Sequence, residues 1–135
     1  MTDPLSTPTL PVVWSGSWIG SSWGISSNHH PRSHSHGQLD PEWHAWTAPW
    51  SMRIVHQEGR HLHLFYRTDN YESRAVSLLS ADCRRMVLTG EVATYHFDVD
   101  LVAGTMVGQW TARPHGSERV GSHFACGEVE IAAVR

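Results

Sequence analysis

The feature that most restricts this chain is a period-two alternation of apolar and polar residues, carried with few interruptions from residue 50 to residue 134. Side chains two apart share a face of a β-strand, whereas helical faces repeat every 3.6 residues, so a chain patterned this way builds sheet. Trp50, Met52, Ile54 and His56 alternate with Ser51, Arg53, Val55 and Gln57. Glu58-Gly59 turns the chain, and Leu62, Leu64 and Tyr66 then alternate with His61, His63 and Phe65, which reads as a hairpin. Thr68-Asp69-Asn70 marks a turn, residues 73–79 a strand, and residues 82–84 another turn. Residues 86–99 and 101–113 read as the two longest strands, joined near Asp98 to Asp100, and Pro114-His115-Gly116-Ser117 turns into a last strand over 119–134.

Residues 12–25 alternate as well, with Trp14, Gly16, Trp18, Gly20, Ser22 and Gly24 on one face and Val13, Ser15, Ser17, Ile19, Ser21 and Trp23 on the other. Glycines weaken a strand unless it must bend or be closely approached, so a coiled first strand is expected, of the kind that closes a small barrel. Residues 26–49 are polar, proline-punctuated and histidine-rich, a long loop or lid. Within it Asp40-Pro41-Glu42 resembles a helix start, with one helical turn expected at Trp43 to Trp46. The count is seven strands, or eight if the first or last divides at its glycines. Closure removes exposed edges, so the expectation is an all-β, antiparallel up-and-down barrel rather than a sandwich. A loose tail over 1–11 precedes a single domain over 12–135, a length that suits one core.

Ten arginines, no lysine and thirteen acidic residues give a net charge of -3 without long runs, which excludes the basic footprint of a nucleic-acid binder and a polybasic membrane anchor. With no lysine, Schiff-base chemistry has no side-chain amine to use. No run approaches the roughly 20 apolar residues of a spanning helix, and residues 1–8 do not read as a secretory signal. The compartment is therefore expected to be cytoplasmic, with neither nucleic acid nor membrane as partner. Cys83 and Cys126 lack Cys-x-x-Cys spacing and are expected to be two small buried thiols.

Gly16-Ser17-Trp18, on the first strand after a short tail, resembles the Gly-x-Trp signature that opens lipocalin-like and avidin-like (calycin) barrels. The resemblance implies a barrel with a mouth and an interior, its tryptophan plugging one end beneath an arginine from the last strand. Arg113 and Arg119 both suit that part by position. In size and expected architecture the chain is also similar to small cofactor-independent cyclases of polyketide pathways, such as the spirotetronate Diels-Alderases.

Trp14, Trp18, Trp50 and Trp110 share strand faces with Met52, Ile54 and Met106, and these faces are taken as inward. A plain packed core and an aromatic-lined pocket both follow from such a set; Gly104 and Gly108 beside Met106 and Trp110 favour a void. The loop histidines His29, His30, His34 and His36 lack the carboxylates and spacing of a dedicated metal site. His61-x-His63 points both imidazoles to one face, but a cupin needs a glutamate about four residues later and Glu72 comes too late, so the pair is expected outside. His96 and His123 lie on long strands, either as core residues or as proton carriers. Along 86–99, Glu91 and Tyr95 share a face with Val87, Ala93 and Phe97, while His96 and Asp98 share the other with Met86, Leu88 and Val92. Both faces are half apolar. If the Tyr95 face is inward, Glu91 is a desolvated general acid or base; if outward, it is a surface charge.

These readings add up to a barrel enclosing a hydrophobic small molecule, expected to be a cofactor-independent cyclase. Tyr95, Glu91 and His123 are its catalytic candidates. Trp18, Trp50, Met52, Arg53, Tyr66, Met106, Trp110 and Phe124 would line the ligand, and Trp43 and Trp46 would close over it. Neither cofactor nor metal is expected, and a homodimer is compatible with the pattern. The alternative is a non-catalytic carrier or sensor of haem or another hydrophobic metabolite.

Overall fold

A computed structural model of the chain describes residues 7–24, 42–68, 71–117 and 121–135, of which 21–24, 42–46, 113–117 and 121–124 are described by their backbone alone. The strands are β1 (Val13–Gly24), β2 (Glu42–Glu58), β3 (His61–Arg67), β4 (Glu72–Leu79), β5 (Arg85–Thr89), β6 (Ala93–Asp100), β7 (Thr105–Ser117) and β8 (Gly121–Ala133). Each is antiparallel to the next and β8 pairs with β1, closing an up-and-down barrel. Alternation places the core inside: Leu62, Leu64 and Tyr66 on β3 and Ser73, Ala75, Ser77 and Leu79 on β4 are buried, while the residues between them face out. At about 1.5–3 kcal/mol for each large apolar side chain buried, this interior is the main stabilising term.

Eight strands arise at a place other than the first or last strand. The expected long strand 86–99 is two, β5 and β6, separated by a turn at Gly90-Glu91-Val92 in which the Gly90 N–H donates to the Ala93 carbonyl at 2.9 Å. That turn shifts the phase: Met86 and Leu88 point in before it, Ala93, Tyr95 and Phe97 after it. Read as a single strand, both faces therefore look half apolar. Residues 101–104 form the β6–β7 turn instead of strand, with Gly104 at φ 72. Pro114 to Ser117, expected to turn, continue β7 past a register shift between Ala112 and His115. The backbone of Trp43 and Trp46 is β2 strand, paired with Trp23 and Gly20, so no helical turn forms there. Residues 26–41 of the expected lid, with the loop histidines, lie outside the described residues.

One end of the barrel is plugged by the segment before β1, which is docked and not loose from Thr7 onward. Leu10 is buried, its N–H donating to Gln57 Oε1 at 2.9 Å, while Gln57 Nε2 donates to the Pro8 carbonyl at 2.9 Å. Trp14, fully buried beneath, donates its indole N–H to the Pro11 carbonyl at 2.7 Å. Gly16 belongs to the closing seam, where an added Cβ would lie 1.9 Å from the Glu130 carbonyl oxygen. Only a residue without a side chain lets β8 approach so closely.

The outer wall carries Arg53, Arg67, Arg74, Asp98, Glu128 and Glu130 as exposed strand residues around an apolar interior. No helix among the described residues is long and apolar enough to cross a membrane.

Candidate functional site

The end opposite the plug is built unevenly. β2 loses β3 as a partner above the pair Ser51↔Arg67, and β7 loses β6 above Ala112↔Ala93, yet both continue, paired with β1 and β8. The sheet β7-β8-β1-β2 thus rises above a low rim formed by the tops of β3 to β6. Both prolines of this overhang sit where a second neighbour is missing among the described residues: Pro49 on β2 just above Ser51, and Pro114 in the β7 irregularity. Proline has no N–H to offer a further strand, so both positions suit an edge.

Beneath the overhang lies a continuous run of aromatic rings. Trp18 and Trp110 approach to 4.5 Å between centroids, Trp110 lies 6.1 Å from Tyr95, and Tyr95 lies 5.2 Å from Tyr66, 5.3 Å from Trp50 and 6.0 Å from Phe97. Trp50, Tyr66, Tyr95 and Trp110 are buried, and Trp18 is partly exposed at the upper end of the cluster. β4 makes room for these rings because its inward positions are small: Ser73, Ala75 and Ser77.

A polar thread runs through the cluster. The Trp50 indole donates to Tyr95 Oη at 3.2 Å, and the hydroxyl of Tyr66 interacts with those of Tyr95 and Ser73. Ser73 Oγ donates to the Arg74 carbonyl at 2.8 Å and accepts the Glu91 N–H at 3.0 Å, fastening the tyrosines to the β5–β6 turn. Burial raises the Tyr66 hydroxyl from 10.0 to about 12, and burial likewise pushes Tyr95 well above its ordinary value. Both phenols are therefore neutral hydrogen-bonding groups at ordinary pH and are unsuited to act as bases.

The structure brings together Trp18, Trp50, Tyr66, Tyr95 and Trp110 of the expected lining. Met52 and Met106 are buried in the core on the plugged side, Met52 level with Trp14. Arg53 is exposed on the outer wall and does not line the interior. Glu91 is an exposed residue of the β5–β6 turn, so the desolvated acid–base role fails; His96, too, is outside. Neither glycine opens a void: Gly104 is in a turn, and a Cβ on Gly108 would lie 2.2 Å from the His96 carbonyl oxygen, because a neighbouring strand fills that space. His61 and His63 face out as expected. Cys83, in the β4–β5 turn, and Cys126 are free thiols that are only partly buried. The backbones of His123 and Phe124 belong to upper β8, paired with Gly24 and Trp23, while the side chains of both, and of Arg113, lie outside the described set together with Arg119. Ser73 and Gly90 were missed by sequence reasoning; the small inward residues of β4 and the broken phase at 89–93 were the available signals.

Among the described residues no three His, Cys, Asp or Glu side chains stand close enough to hold a metal ion. Comparison of the chain with protein-family models, with curated proteins and with solved structures finds no match.

Proposed function

We propose that this barrel binds an apolar small molecule at its aromatic end, against Trp18 and Trp110 and beneath the overhang of β7, β8, β1 and β2. The supporting observation is the gradient of burial through one ring cluster, from Trp50 and Tyr95 in the wall to a partly exposed Trp18 under strands that continue past the filled core. Such a surface offers stacking and apolar contact with few polar groups, the usual composition of a small-molecule site.

Two activities fit that site. In a cofactor-independent cyclase of polyketide-type substrates, confinement of a reactive conformer supplies several kcal/mol and one hydrogen-bond donor polarises the substrate. His123 on upper β8 is the remaining acid–base candidate for it. In a carrier, the molecule is held unchanged. The tyrosine network favours holding, since the Tyr95 and Tyr66 hydroxyls are already engaged with Trp50, each other and Ser73.

Tryptophan fluorescence and thermal unfolding with diphenylhexatriene as an apolar probe test the binding. Quenching and a concentration-dependent rise in Tm are expected, with at least tenfold weaker binding in Trp18→Ala, about 1.4 kcal/mol. No quenching, or equal affinity in the variant, overturns the site. Incubation with a linear diene–dienophile precursor separates the activities: turnover above the buffer rate that falls in His123→Ala establishes the cyclase, and binding without turnover the carrier.

A further inference from the structure

On the outer wall, on the low-rim side of the barrel, β2 to β5 carry a cleft of about 560 Å³ bordered by Val55, His63, Phe65, Arg74, Val76 and the Thr89–Glu91 segment. Alternation should make this face polar, yet Val55 and Val76 are 54% and 56% exposed. Two local irregularities form the cleft. The register shift between Ile54 and His56 makes Val55 and His56 successive outward residues, and short β5 leaves β4 paired with β3 but not with β5 above Val76. The row Arg53↔Phe65↔Arg74 places an outward ring between two arginines on adjacent strands. The Arg74 guanidinium lies over the Phe65 ring at 6.0 Å. Arg67 nearby is paired with Glu72 at 3.8 Å, but Arg74 has no ion pair among the described residues; Glu91 also borders the cleft, its N–H bonded to Ser73 Oγ at 3.0 Å.

We infer that this cleft is a second binding site, for a small amphipathic carboxylate. Its apolar body lies on Val55, Phe65 and Val76, and its carboxylate meets the Arg74 guanidinium. The volume falls in the range of small-molecule sites, about 300–1,000 Å³, and the planar guanidinium fork matches a carboxylate in geometry as well as charge. The site stands apart from the aromatic mouth, and neither depends on the other.

The test uses 2-naphthoate and its uncharged counterpart 2-naphthamide, titrated into the full chain and followed by amide NMR shifts and calorimetry. Shifts concentrated on β3 and β4, an affinity for naphthoate at least tenfold above that for naphthamide, and at least a tenfold loss in Arg74→Gln are expected. Arg74→Lys should recover part of the loss. Arg74 is exposed, so the variants should keep the parent's Tm and far-ultraviolet spectrum, and Val76→Ser provides a second variant that weakens binding through the apolar floor. Equal binding of acid and amide, an unchanged Arg74→Gln, shifts confined to the mouth strands, or no binding at all overturns the proposal. So does concentration-dependent self-association that Arg74→Gln abolishes, which would make the cleft a contact between copies of the chain.

Discussion

Gly90 joins the local turn to the buried tyrosines. A Cβ there would stand 2.7 Å from Tyr66 Oη and 3.0 Å from Ser73 Oγ, so the hydroxyl pair occupies the space a side chain would need. Gly90→Ala should push Tyr66 away from Ser73 and lower stability by about 1–3 kcal/mol, the usual cost of overpacking, as read from the denaturant midpoint. An unchanged midpoint would mean that the turn yields freely and the thread is not tied there. The phenols also set an alkaline limit. In the unfolded chain Tyr66 ionises near 10.0, whereas the folded protein keeps that proton until about 12. The folded state therefore holds more protons than the unfolded state between these values. Its stability is intact below pH 10 and falls between pH 10 and 12, by about 1.4 kcal/mol per pH unit for each such tyrosine. Denaturation series across that window should show the slope, and Tyr66→Phe should reduce it; a midpoint independent of pH there would contradict the burial.

Elements explain why one end is closed and the other built for contact. The segment Thr7–Val12 is short, but Leu10 and the Gln57 bonds convert it into a plug, and the Ile54 N–H donates to the Val12 carbonyl at 2.8 Å. Leu10→Ala should cost about 2–3 kcal/mol, like other deletions of buried leucine, measured by thermal or chemical unfolding; a loss within error would show that the plug contributes little. At the other end, unequal strand lengths leave β2 and β7 with one neighbour each among the described residues, and Pro49 marks the edge. Pro49→Val restores an N–H on that edge and should increase self-association in sedimentation, because an open strand edge templates pairing. Sequence patterning located β1, β3, β4 and β8 nearly in register because each holds one phase throughout. It merged β5 with β6 because a three-residue turn of Gly, Glu and Val carries no proline or asparagine, and the phase change hid as two half-apolar faces.

At the scale of the whole molecule, closure requires β1 to find β8, so that Trp14 pairs with Ala133 from the far end of the chain. Loop-closure entropy must be met before that pairing gives any return, and refolding is expected in the range of about milliseconds to seconds typical of non-local β topologies. Stopped-flow fluorescence from the seven tryptophans would show it; a microsecond phase carrying the full amplitude would contradict closure as the slow step. The sequence by itself determined the all-β class, the antiparallel order, the inward placement of Trp14, Trp50, Tyr66 and Trp110, and the outward placement of His61 and His63. These follow from a period of two, which is a local property of the chain. Tertiary structure alone decided that Glu91 lies outside, that Gly108 faces a backbone and not a void, and that Tyr95, Tyr66 and Ser73 meet through Trp50 and the β5–β6 turn. It also decided that the outer wall bears a cleft beside Arg74. Each of these depends on where a phase shifts or which strands become neighbours across the closed sheet, and periodicity along one strand carries no record of its partner.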